Sequence, residues 1–534
     1  MKDSFELKLP SIARMTLEQK VAQLVMIDIP DVELGARTRE HIERYDYNGI
    51  ILFAKNVVDR KQVVQLNRDL NQAFRTTPLL TVDQEGGLVD RFRFPGINNT
   101  PGAMGLAATG SPELTERAHE IMGIELASLG ISLDFAPCLD INSNRANPII
   151  GVRSFGAEAK QVTEHGLAAI RGLQKGGVAA CGKHFPGHGD TSSDSHIDLP
   201  TVNRSREELD TNELAPFRAA MEKGLDSVMT AHVTFPALDP TPGLPATLSG
   251  TILTGLLRET YGYQGVVFTD SMAMQAVADR WGVGEAAVMS IQAGADIVLA
   301  CGSFESHLAT VEGLLEAVKD GRISEDRLDQ SLNRIFALKK KYCRNPEEQP
   351  SYPVSDHQAF MTGVCDQSVT LLESSGESLP LKGKVLVLMP DMLPQTPLGE
   401  MNRAVSLAEV LGEEQQGEDL SIEEIRFHLH GSGDSWREIS SKAVEYDRVV
   451  VCLYSRDQLP DGQKSLVENL LRDGVDPIVV SLSSPYLFDR VPPQVKNRVL
   501  TYNYTPLSLA SLARILLGRR QALGVCPVPQ PTTT

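Results

Sequence analysis

Short, nearly uncharged apolar runs recur through the first 300 residues, and each is followed by a longer segment with helical spacing. The runs do not alternate between apolar and polar residues, as a half-exposed strand does. This indicates strands that are buried on both faces of a parallel sheet. Eight such runs occur, at 24–29, 49–53, 79–83, 132–137, 178–184, 227–232, 265–270 and 296–300. Eight β/α units in about 340 residues predict a (β/α)8 TIM-type barrel with insertions.

The pattern breaks around 344–360, where the prolines and charges of RNPEEQPSYPVSD follow a long basic helix and indicate a linker. A second α/β pattern follows, with apolar runs at 384–389, 425–429, 448–454, 477–482 and 498–502. This pattern predicts a smaller three-layer α/β sandwich. We therefore expect a chain divided into a catalytic barrel in 1–343, a linker in 344–380, the sandwich domain in 381–520 and a disordered tail in 521–534.

Polar residues stand at the carboxyl ends of several predicted barrel strands. These are Asp28, Asp83, His184, His232 and Asp270. In a (β/α)8 barrel that end carries the active site. A doubly wound open sheet also binds ligands at its strand carboxyl ends, so the pattern locates the site better than it establishes closure of the barrel.

The segment KHFPGHGDTSSDSH (183–196) holds three histidines, two aspartates and a lysine within fourteen residues. Asp194 stands two residues before His196, so its carboxylate can accept the Nδ1 hydrogen and leave Nε2 free for proton transfer. The pair is predicted to be a general acid/base; the alternative is a solvated pair without a role. His184 and His188 are four residues apart, but Pro186 and Gly187 exclude a helix between them. Neither a metal nor another cofactor is expected.

Asp270 ends the cleanest buried run, GVVFTD, and is either a catalyst at the mouth of the barrel or the N-cap of a following helix. Asp83, Arg91 and Arg153 are candidates for binding sugar hydroxyls through charge-assisted hydrogen bonds. An exposed salt bridge would explain any one of them equally well.

The composition fits a soluble enzyme longer than one ordinary domain: 534 residues, 42% hydrophobic and 22% charged. The formal net charge of −18 argues against nucleic acid and anionic membrane surfaces as partners. No uncharged apolar run is long enough to cross a membrane. The seven cysteines are scattered without a CxxC pair, which argues against disulfides and structural zinc and predicts a cytoplasmic location.

Taken together, several segments of the predicted barrel resemble glycoside hydrolase family 3, and within it the β-N-acetylglucosaminidase branch. The matching segments are MTLEQKVAQL (15–24), VDQEGG (82–87), PGAMGLAAT (101–109), IIGVRSFG (149–156), KHFPGHGDTSSDSH (183–196), VMTAH (228–232), PATLS (245–249) and FTDSMAM (268–274). One departure is visible, because Leu88 stands where the family usually has arginine. The resemblance implies a barrel followed by an α/β sandwich domain.

The resemblance also implies the roles of individual residues. Asp270 matches the nucleophile, His196 the acid/base, and Asp194 its dyad partner. The residues that match the family's binding site for the non-reducing sugar are Asp83, Arg91, Arg153, Lys183 and His184.

The implied reaction is retaining hydrolysis of terminal β-linked N-acetylglucosamine (GlcNAc), with peptidoglycan fragments as the expected small carbohydrate substrates. A phosphorylase stays open, because an imidazole acid/base does not repel phosphate. A β-glucosidase or β-xylosidase of the same family also stays open, and so does a non-catalytic sugar-binding protein. The oligomeric state is not predicted.

Overall fold

The computed structural model contains two α/β domains. It describes residues 6–192, 199–347, 349–376, 378–391, 395–396, 399–400, 406–415, 417, 420–429, 431, 434–456 and 458–530. Within these ranges, no helix combines the length and the apolarity that crossing a bilayer requires.

Eight parallel strands form the sheet of the first domain. They are β1 Val25–Asp28, β2 Gly49–Leu52, β3 Leu79–Val82, β4 Leu133–Asp134, β5 Ala179–Phe185, β6 Ser227–Thr230, β7 Val266–Phe268 and β8 Val298–Ala300. Neighbours follow chain order from β1 to β7, and β8 pairs with β1. A parallel bridge from Phe268 to Ile297 brings β7 beside the entry to β8, so the sheet is a nearly closed barrel. The predicted fold class is confirmed.

Helices follow most of these strands and cover the outside of the barrel. They are α1 Leu17–Ala22, α2 Ala36–Tyr45, α3 Arg60–Ala73, α4 Gly102–Ala108, α5 Pro112–Ser128, α6 Ala159–Gly176, α7 Arg206–Thr211, α8 Leu214–Glu222, α9 Gln275–Trp281, α10 Val283–Ala293, α11 Phe304–Lys319 and α12 Glu325–Tyr342. Short 3-10 turns lie at Ile12–Arg14, Ala54–Asn56, Gly151–Arg153 and Ala246–Leu248, and Thr251–Thr260 is π-helical.

Side-chain caps mark where several helices begin. The Thr16 hydroxyl accepts from the backbone N–H of Gln19, and the Gln19 side chain accepts from Thr16 N–H in return, a capping box at α1. The Ser111 hydroxyl caps α5 ahead of Pro112, whose missing N–H is not needed in the first turn. Capping residues in the local sequence thus determine where these helices begin.

The barrel core is apolar throughout, and every residue of β1 to β8 is buried. The rings of Phe135 and Phe268 meet edge to face inside it, with centroids 5.2 Å apart. Burying such a side chain contributes about 2–3 kcal/mol. The carboxyl ends of the barrel strands are therefore held by a rigid apolar core.

The second domain is a six-stranded sheet with helices packed against it. Its strands, with a small hairpin β11–β12, are β9 Thr370–Glu373, β10 Gly383–Pro390, β11 Gln395–Thr396, β12 Gly399–Glu400, β13 Leu420–Phe427, β14 Arg448–Leu453, β15 Ile478–Ser481 and β16 Asn497–Leu500. Its helices are α13 Val354–Ser368, α14 Leu407–Glu414, α15 Asp434–Ala443, α16 Asp461–Arg472 and α17 Pro506–Leu516, with a 3-10 turn at Pro485–Asp489. The strand order is β13-β10-β14-β15-β16-β9, and β9 alone is antiparallel to its neighbour.

Residues 344–380, expected to be a linker, contain α13 and β9. Met361 and Val364 of α13 are buried in one apolar cluster with Ile121 of α5, which explains why the segment is helical rather than extended. The expected disordered tail also differs over its described part: Val525 N–H donates to the Ala108 carbonyl at 2.8 Å, and Val528 is buried. These contacts attach residues 525–528 to the rest of the structure.

Candidate active site

A cavity of about 470 Å³ opens at the carboxyl end of the barrel strands. Its walls come from the loops after β2, β3, β5, β7 and β8 and from the 3-10 turn Gly151–Arg153. The charged and imidazole side chains that line it are Asp83, Glu85, Arg91, Arg153, Lys183, His184, His188 and Asp270. Six of the eight predicted site residues are therefore gathered in one place.

Lys183, on β5, connects two carboxylates on one wall of the cavity. Its ammonium group lies 2.6 Å from Asp83 Oδ1 and 2.7 Å from Glu85 Oε1. Glu85 also accepts two hydrogen bonds from the Arg153 guanidinium, at 2.8 and 2.7 Å. Arg91 Nη2 lies 4.0 Å from Asp83 Oδ2. The wall is a continuous chain of fixed, alternating charges.

Protonation states on this wall follow from that pairing. Burial acts to raise the pKa of Glu85, but the charges of Arg153 and Lys183 outweigh it and hold the pKa below its ordinary value. Burial acts to lower the pKa of Lys183, and Asp83 and Glu85 outweigh it in the opposite direction. Glu85 therefore stays ionised and Lys183 stays charged at neutral pH.

His184 is oriented from behind by a buried carboxylate. Asp140 Oδ2 lies 2.7 Å from His184 Nδ1, and the same carboxylate accepts the backbone N–H of His188 at 2.7 Å. Burial acts to raise the pKa of Asp140, but His184 and His188 outweigh it and lower that pKa to about 2. A carboxylate at Nδ1 favours the tautomer that presents Nε2 to the cavity, 3.5 Å from Arg153 Nη2.

His188 lies beside His184 on the wall of the cavity. Burial and the neighbouring His184 lower the pKa of His188 to about 4, so its ring is neutral at pH 7. Its Nδ1 lies 3.0 Å from the Thr191 hydroxyl. The ring packs edge to face against His184, with centroids 5.8 Å apart.

Asp270 lies just beyond β7, at the side of the cavity formed by the loops after β7 and β8. Its Oδ1 accepts the backbone N–H of Ser271 at 2.7 Å. The next helix, α9, has Met274 at its N-cap position, so Asp270 is not a helix cap. The side chain is partly exposed to the cavity, as a group that attacks a bound substrate must be.

His232 supports the Asp270 loop from the end of β6. Its Nδ1 lies 2.9 Å from the Thr247 hydroxyl and its Nε2 lies 3.1 Å from the carbonyl of Ser271. Asp28, the other residue noted at a strand end, is buried in an ion pair with Lys55 at 2.7 Å and does not line the cavity. His232 therefore belongs to the support of the site, and Asp28 lies outside it.

Asp194 and His196 lie outside the described residues. Residues on either side of the segment that carries them are paired with each other. Arg204 Nη2 lies 2.7 Å from Asp190 Oδ1, and the Ser143 hydroxyl donates to the same oxygen at 3.0 Å. Thr191 is fixed as well, through Asn147. Both ends of the predicted acid/base loop are thus attached to the barrel.

One group in the described part of the chain has the ligand types and spacing for a metal ion. It consists of Cys138, Asp140 and His184, all buried. The Cys138 thiol donates to Asp140 at 3.2 Å, and burial raises the pKa of that thiol well above its ordinary value. A neutral thiol is a poor metal ligand. The arrangement fits a hydrogen-bonded support for His184 better than a metal centre.

Glu85, Asp140 and His188 line or support the site without having been predicted as site residues. Glu85 stands two residues after Asp83, but its partner Arg153 is distant in sequence. Asp140 follows the run 132–137 at the carboxyl end of a strand, which was the available signal. The pairing with His184 appears only once β4 and β5 lie side by side.

Known proteins resemble this chain both in sequence and in structure. Residues 16–338 match the model of the glycosyl hydrolase family 3 N-terminal domain. A β-hexosaminidase A from Pseudoalteromonas piscicida is 35% identical over 390 residues, which are 66% of this chain and 64% of that protein. A β-hexosaminidase from Tolumonas auensis is 38% identical over 294 residues, 54% of this chain and 86% of that protein.

One solved structure is similar over nearly the whole chain. It is a glycoside hydrolase family 3 β-N-acetylglucosaminidase from Paenibacillus sp. str. FPU-7, 39% identical, with a TM-score of 0.90. The match covers 97% of this chain and 100% of that one. The similarity therefore includes the second domain.

Proposed function

Because this chain belongs to glycosyl hydrolase family 3, we propose that it is a β-N-acetylglucosaminidase that removes terminal, non-reducing β-linked GlcNAc. The observation that carries the proposal is the cavity itself. It places the Asp270 carboxylate and the charged wall of Asp83, Lys183 and Arg153 around one space of about 470 Å³. That volume lies within the range of small-molecule sites and is sufficient for one acetylated sugar. The similar proteins are named as β-hexosaminidases and a β-N-acetylglucosaminidase, which supports GlcNAc as the sugar that is released.

The wall residues bind the sugar ring. Asp83 accepts hydrogen bonds from hydroxyl groups, and the cations Lys183, Arg91 and Arg153 donate to sugar oxygens. His184 Nε2 adds a further polar contact from the same wall. Because these groups are already fixed by one another, they need little reorganisation when the substrate enters.

Asp270 acts as the nucleophile in a retaining double displacement. One of its carboxylate oxygens attacks the anomeric carbon, the bond to the leaving oxygen breaks, and the His196 imidazolium transfers its proton to that oxygen. Water then attacks the glycosyl-aspartate while His196 takes a proton from the water, and the Asp270 carboxylate leaves. Asp194 orients His196. An imidazole suits this role because its ordinary pKa of about 6.5 allows both transfers near neutrality.

The natural substrates are proposed to be small peptidoglycan fragments, processed in the cytoplasm. All seven cysteines are free thiols, which fits a reducing compartment. The net charge of −18 disfavours nucleic acid as a partner. No cofactor enters the mechanism, so activity should survive exhaustive chelation.

Turnover of three chromogenic β-glycosides tests the proposal. The wild type should release p-nitrophenol from the GlcNAc glycoside far faster than from the glucoside or xyloside, and Asp270→Ala should lose at least about a thousandfold in kcat. Running the reaction with and without phosphate separates hydrolase from phosphorylase, since only the phosphorylase forms GlcNAc-1-phosphate. Preference for the glucoside, or activity that survives Asp270→Ala, would contradict the proposal.

A further inference from the structure

The loop after β16 reaches from the second domain into the barrel. Its residue Tyr502 is buried and has a φ of +63°, a left-handed conformation that a bulky side chain rarely adopts. Tyr502 lies in one apolar cluster with Met104 and Ala108 of α4. An unfavourable backbone conformation persists only where the surrounding structure holds it. The contact with α4 therefore fixes this loop against the barrel.

Asn503, the next residue of the loop, is hydrogen-bonded to both domains. Its side-chain N–H donates to the carbonyl of Pro101, just before α4, at 2.9 Å. Its side-chain oxygen accepts from the backbone N–H and from the hydroxyl of Thr505, at 2.9 and 2.8 Å. The side chain is completely buried. One amide group thus joins a turn of the second domain to the barrel residue that precedes α4.

Residues 99–102 in turn hold the tight turn at Gly86 and Gly87. The Gly87 N–H donates to the Thr100 carbonyl at 3.0 Å and to Asn99 Oδ1 at 2.9 Å. A Cβ atom at Gly86 would lie only 2.0 Å from Thr100 Oγ1. The two segments therefore approach each other as closely as glycine permits. Because closely packed segments leave no free space between them, a displacement of residues 99–102 must move the glycine turn as well.

Leu88 gives the same turn a direct contact with the second domain. Its side chain is half-buried and packs against the apolar cluster that contains Tyr504 and Leu509. The family usually has arginine at this position, and burying a guanidinium among such side chains would cost free energy. The departure from the family pattern at Leu88 therefore fits a contact with the second domain.

The loop that these contacts hold carries one wall of the cavity. We call residues 83–91 the sugar-binding loop. Glu85 directly precedes Gly86, and its carboxylate lies 2.7 Å from both Lys183 Nζ and Arg153 Nη2. Asp83 and Arg91 stand at the two ends of the loop. The position of the loop thus determines where the groups proposed to bind the sugar are placed.

We propose that Asn503 and Leu88 are positioning residues, through which the second domain holds the sugar-binding loop in place. Neither side chain lines the cavity, so both act through the loop and not on the sugar itself. The inference rests on the proposed function, because the loop matters for activity only if it binds GlcNAc. The second domain thereby contributes to the affinity for the sugar, while the barrel carries out the chemistry.

Asn503→Asp tests this role without disturbing the turn of the second domain. The new carboxylate can still accept both hydrogen bonds from Thr505, but it replaces the donor that faces the Pro101 carbonyl with an acceptor. The dissociation constant of GlcNAc, from NMR titration, and KM for p-nitrophenyl GlcNAc should each rise by about threefold to tenfold, with kcat within about twofold. Leu88→Ala should act in the same direction, and Leu88→Met, which nearly conserves the volume, should resemble the wild type.

Asn497→Asp is the matched control. Asn497 is a buried asparagine of the same domain, and its side chain accepts from Ser375 N–H at 3.1 Å and donates to the Ser378 hydroxyl at 3.0 Å. Both partners belong to the second domain. A buried charge there should lower the unfolding free energy in urea but leave the GlcNAc dissociation constant and KM within about twofold. The control thus separates a destabilised second domain from a displaced sugar-binding loop.

The outcomes distinguish the inference from the function on which it rests. Wild-type affinity for GlcNAc in Asn503→Asp and Leu88→Ala, or a fall in kcat alone, would overturn the positioning role while leaving the hydrolase intact. An equal loss of affinity in Asn497→Asp would also overturn it, because the effect would then be general. A wild type that does not hydrolyse p-nitrophenyl GlcNAc would instead overturn the proposed function.

Discussion

Asp140 does not line the cavity, but it orients His184, which does. Its carboxylate holds the His184 ring through Nδ1 at 2.7 Å and the backbone of His188 at 2.7 Å. The orientation of His184 in the cavity, and therefore its contact with Arg153, depends on that buried charge. Removing the charge should affect both folding and sugar binding.

The pKa of Asp140 predicts how its contribution to stability depends on pH. That pKa is lowered from an ordinary 3.8 to about 2, because the attraction of His184 and His188 outweighs burial. A lowered carboxyl pKa contributes stability that is complete above about pH 4 and lost as the pH falls toward 2. Asp140→Asn should therefore be less stable than wild type by about 2 kcal/mol at pH 7, with the gap closing near pH 2. Urea unfolding across this range is the measurement, and a gap that is constant with pH would contradict the assignment.

Between elements, the loops after β6 and β7 are joined by His232. Its ring spans from the Thr247 hydroxyl to the carbonyl of Ser271, beside Asp270. On the opposite side of the barrel, α13 is attached to α5 through His357 Nδ1 and Glu125 Oε1, 3.0 Å apart. One junction positions the proposed nucleophile, and the other attaches the second domain's first helix to the barrel.

His232→Ala should act on kcat rather than on KM. The imidazole contacts the Ser271 carbonyl and does not line the cavity, so its loss should misplace Asp270 without weakening sugar binding. We expect kcat to fall by about tenfold to a hundredfold and KM to stay within about twofold. His232→Gln, which can still donate to the carbonyl, should recover part of the rate. Steady-state kinetics on p-nitrophenyl GlcNAc measure kcat and KM. A rise in KM with an unchanged kcat would contradict this role of His232.

Glu125→Gln should remove a pH dependence of stability at the α5–α13 junction. Burial raises the pKa of Glu125 to about 7, so this carboxyl stays protonated in the folded protein at pH values well below 7; burial also lowers the pKa of His357. A raised carboxyl pKa contributes stability that is complete below about pH 4.5 and lost as the pH rises to about 7.

Relative to Glu125→Gln, the wild type should lose about 3 kcal/mol of unfolding free energy across that window. Denaturant titrations of both proteins at several pH values give the difference. If the unfolding free energies of the two proteins changed with pH in parallel, Glu125 would not be the group that causes the pH dependence.

At the scale of the whole molecule, Arg145 of the barrel makes several contacts across the interface between the two domains. Its guanidinium lies 2.9 Å from Asp489 Oδ2, donates to the Pro529 carbonyl at 2.7 Å and stacks on the Tyr486 ring at 4.5 Å. The barrel loop, the second domain and the chain's last described residues thus meet at one side chain.

Arg145→Ala should weaken the interface between the two domains. We expect the unfolding transitions of the two domains to separate in calorimetry, with the variant losing about 1–2 kcal/mol. Arg171→Ala, which removes a barrel arginine paired with Glu116 on the helical surface, is the control and should keep the wild-type profile. A single unchanged transition in Arg145→Ala would mean that other contacts hold the domains together.

The barrel could be predicted from sequence because strands buried on both faces appear as continuous apolar runs, and all eight are confirmed. The predicted family, with its glycoside hydrolase class, is confirmed as well. β9 escaped prediction because it has only four residues and most of them are half-buried, so it does not appear as a continuous buried apolar run. Glu85 and Asp140 escaped because their partners, Arg153 and His184, are distant in the chain. The roles of Asp194 and His196 stay predictions, since both lie outside the described residues.

Trapping the covalent intermediate tests the central claim most directly. A 5-fluoro analogue of a β-GlcNAc glycoside slows both steps, and a good leaving group lets the glycosyl-enzyme accumulate for intact mass measurement and peptide mapping. The account predicts one adduct with the mass of the fluorinated sugar, located on Asp270 and absent from Asp270→Ala. An adduct on another residue, or steady hydrolysis without any adduct, would contradict it.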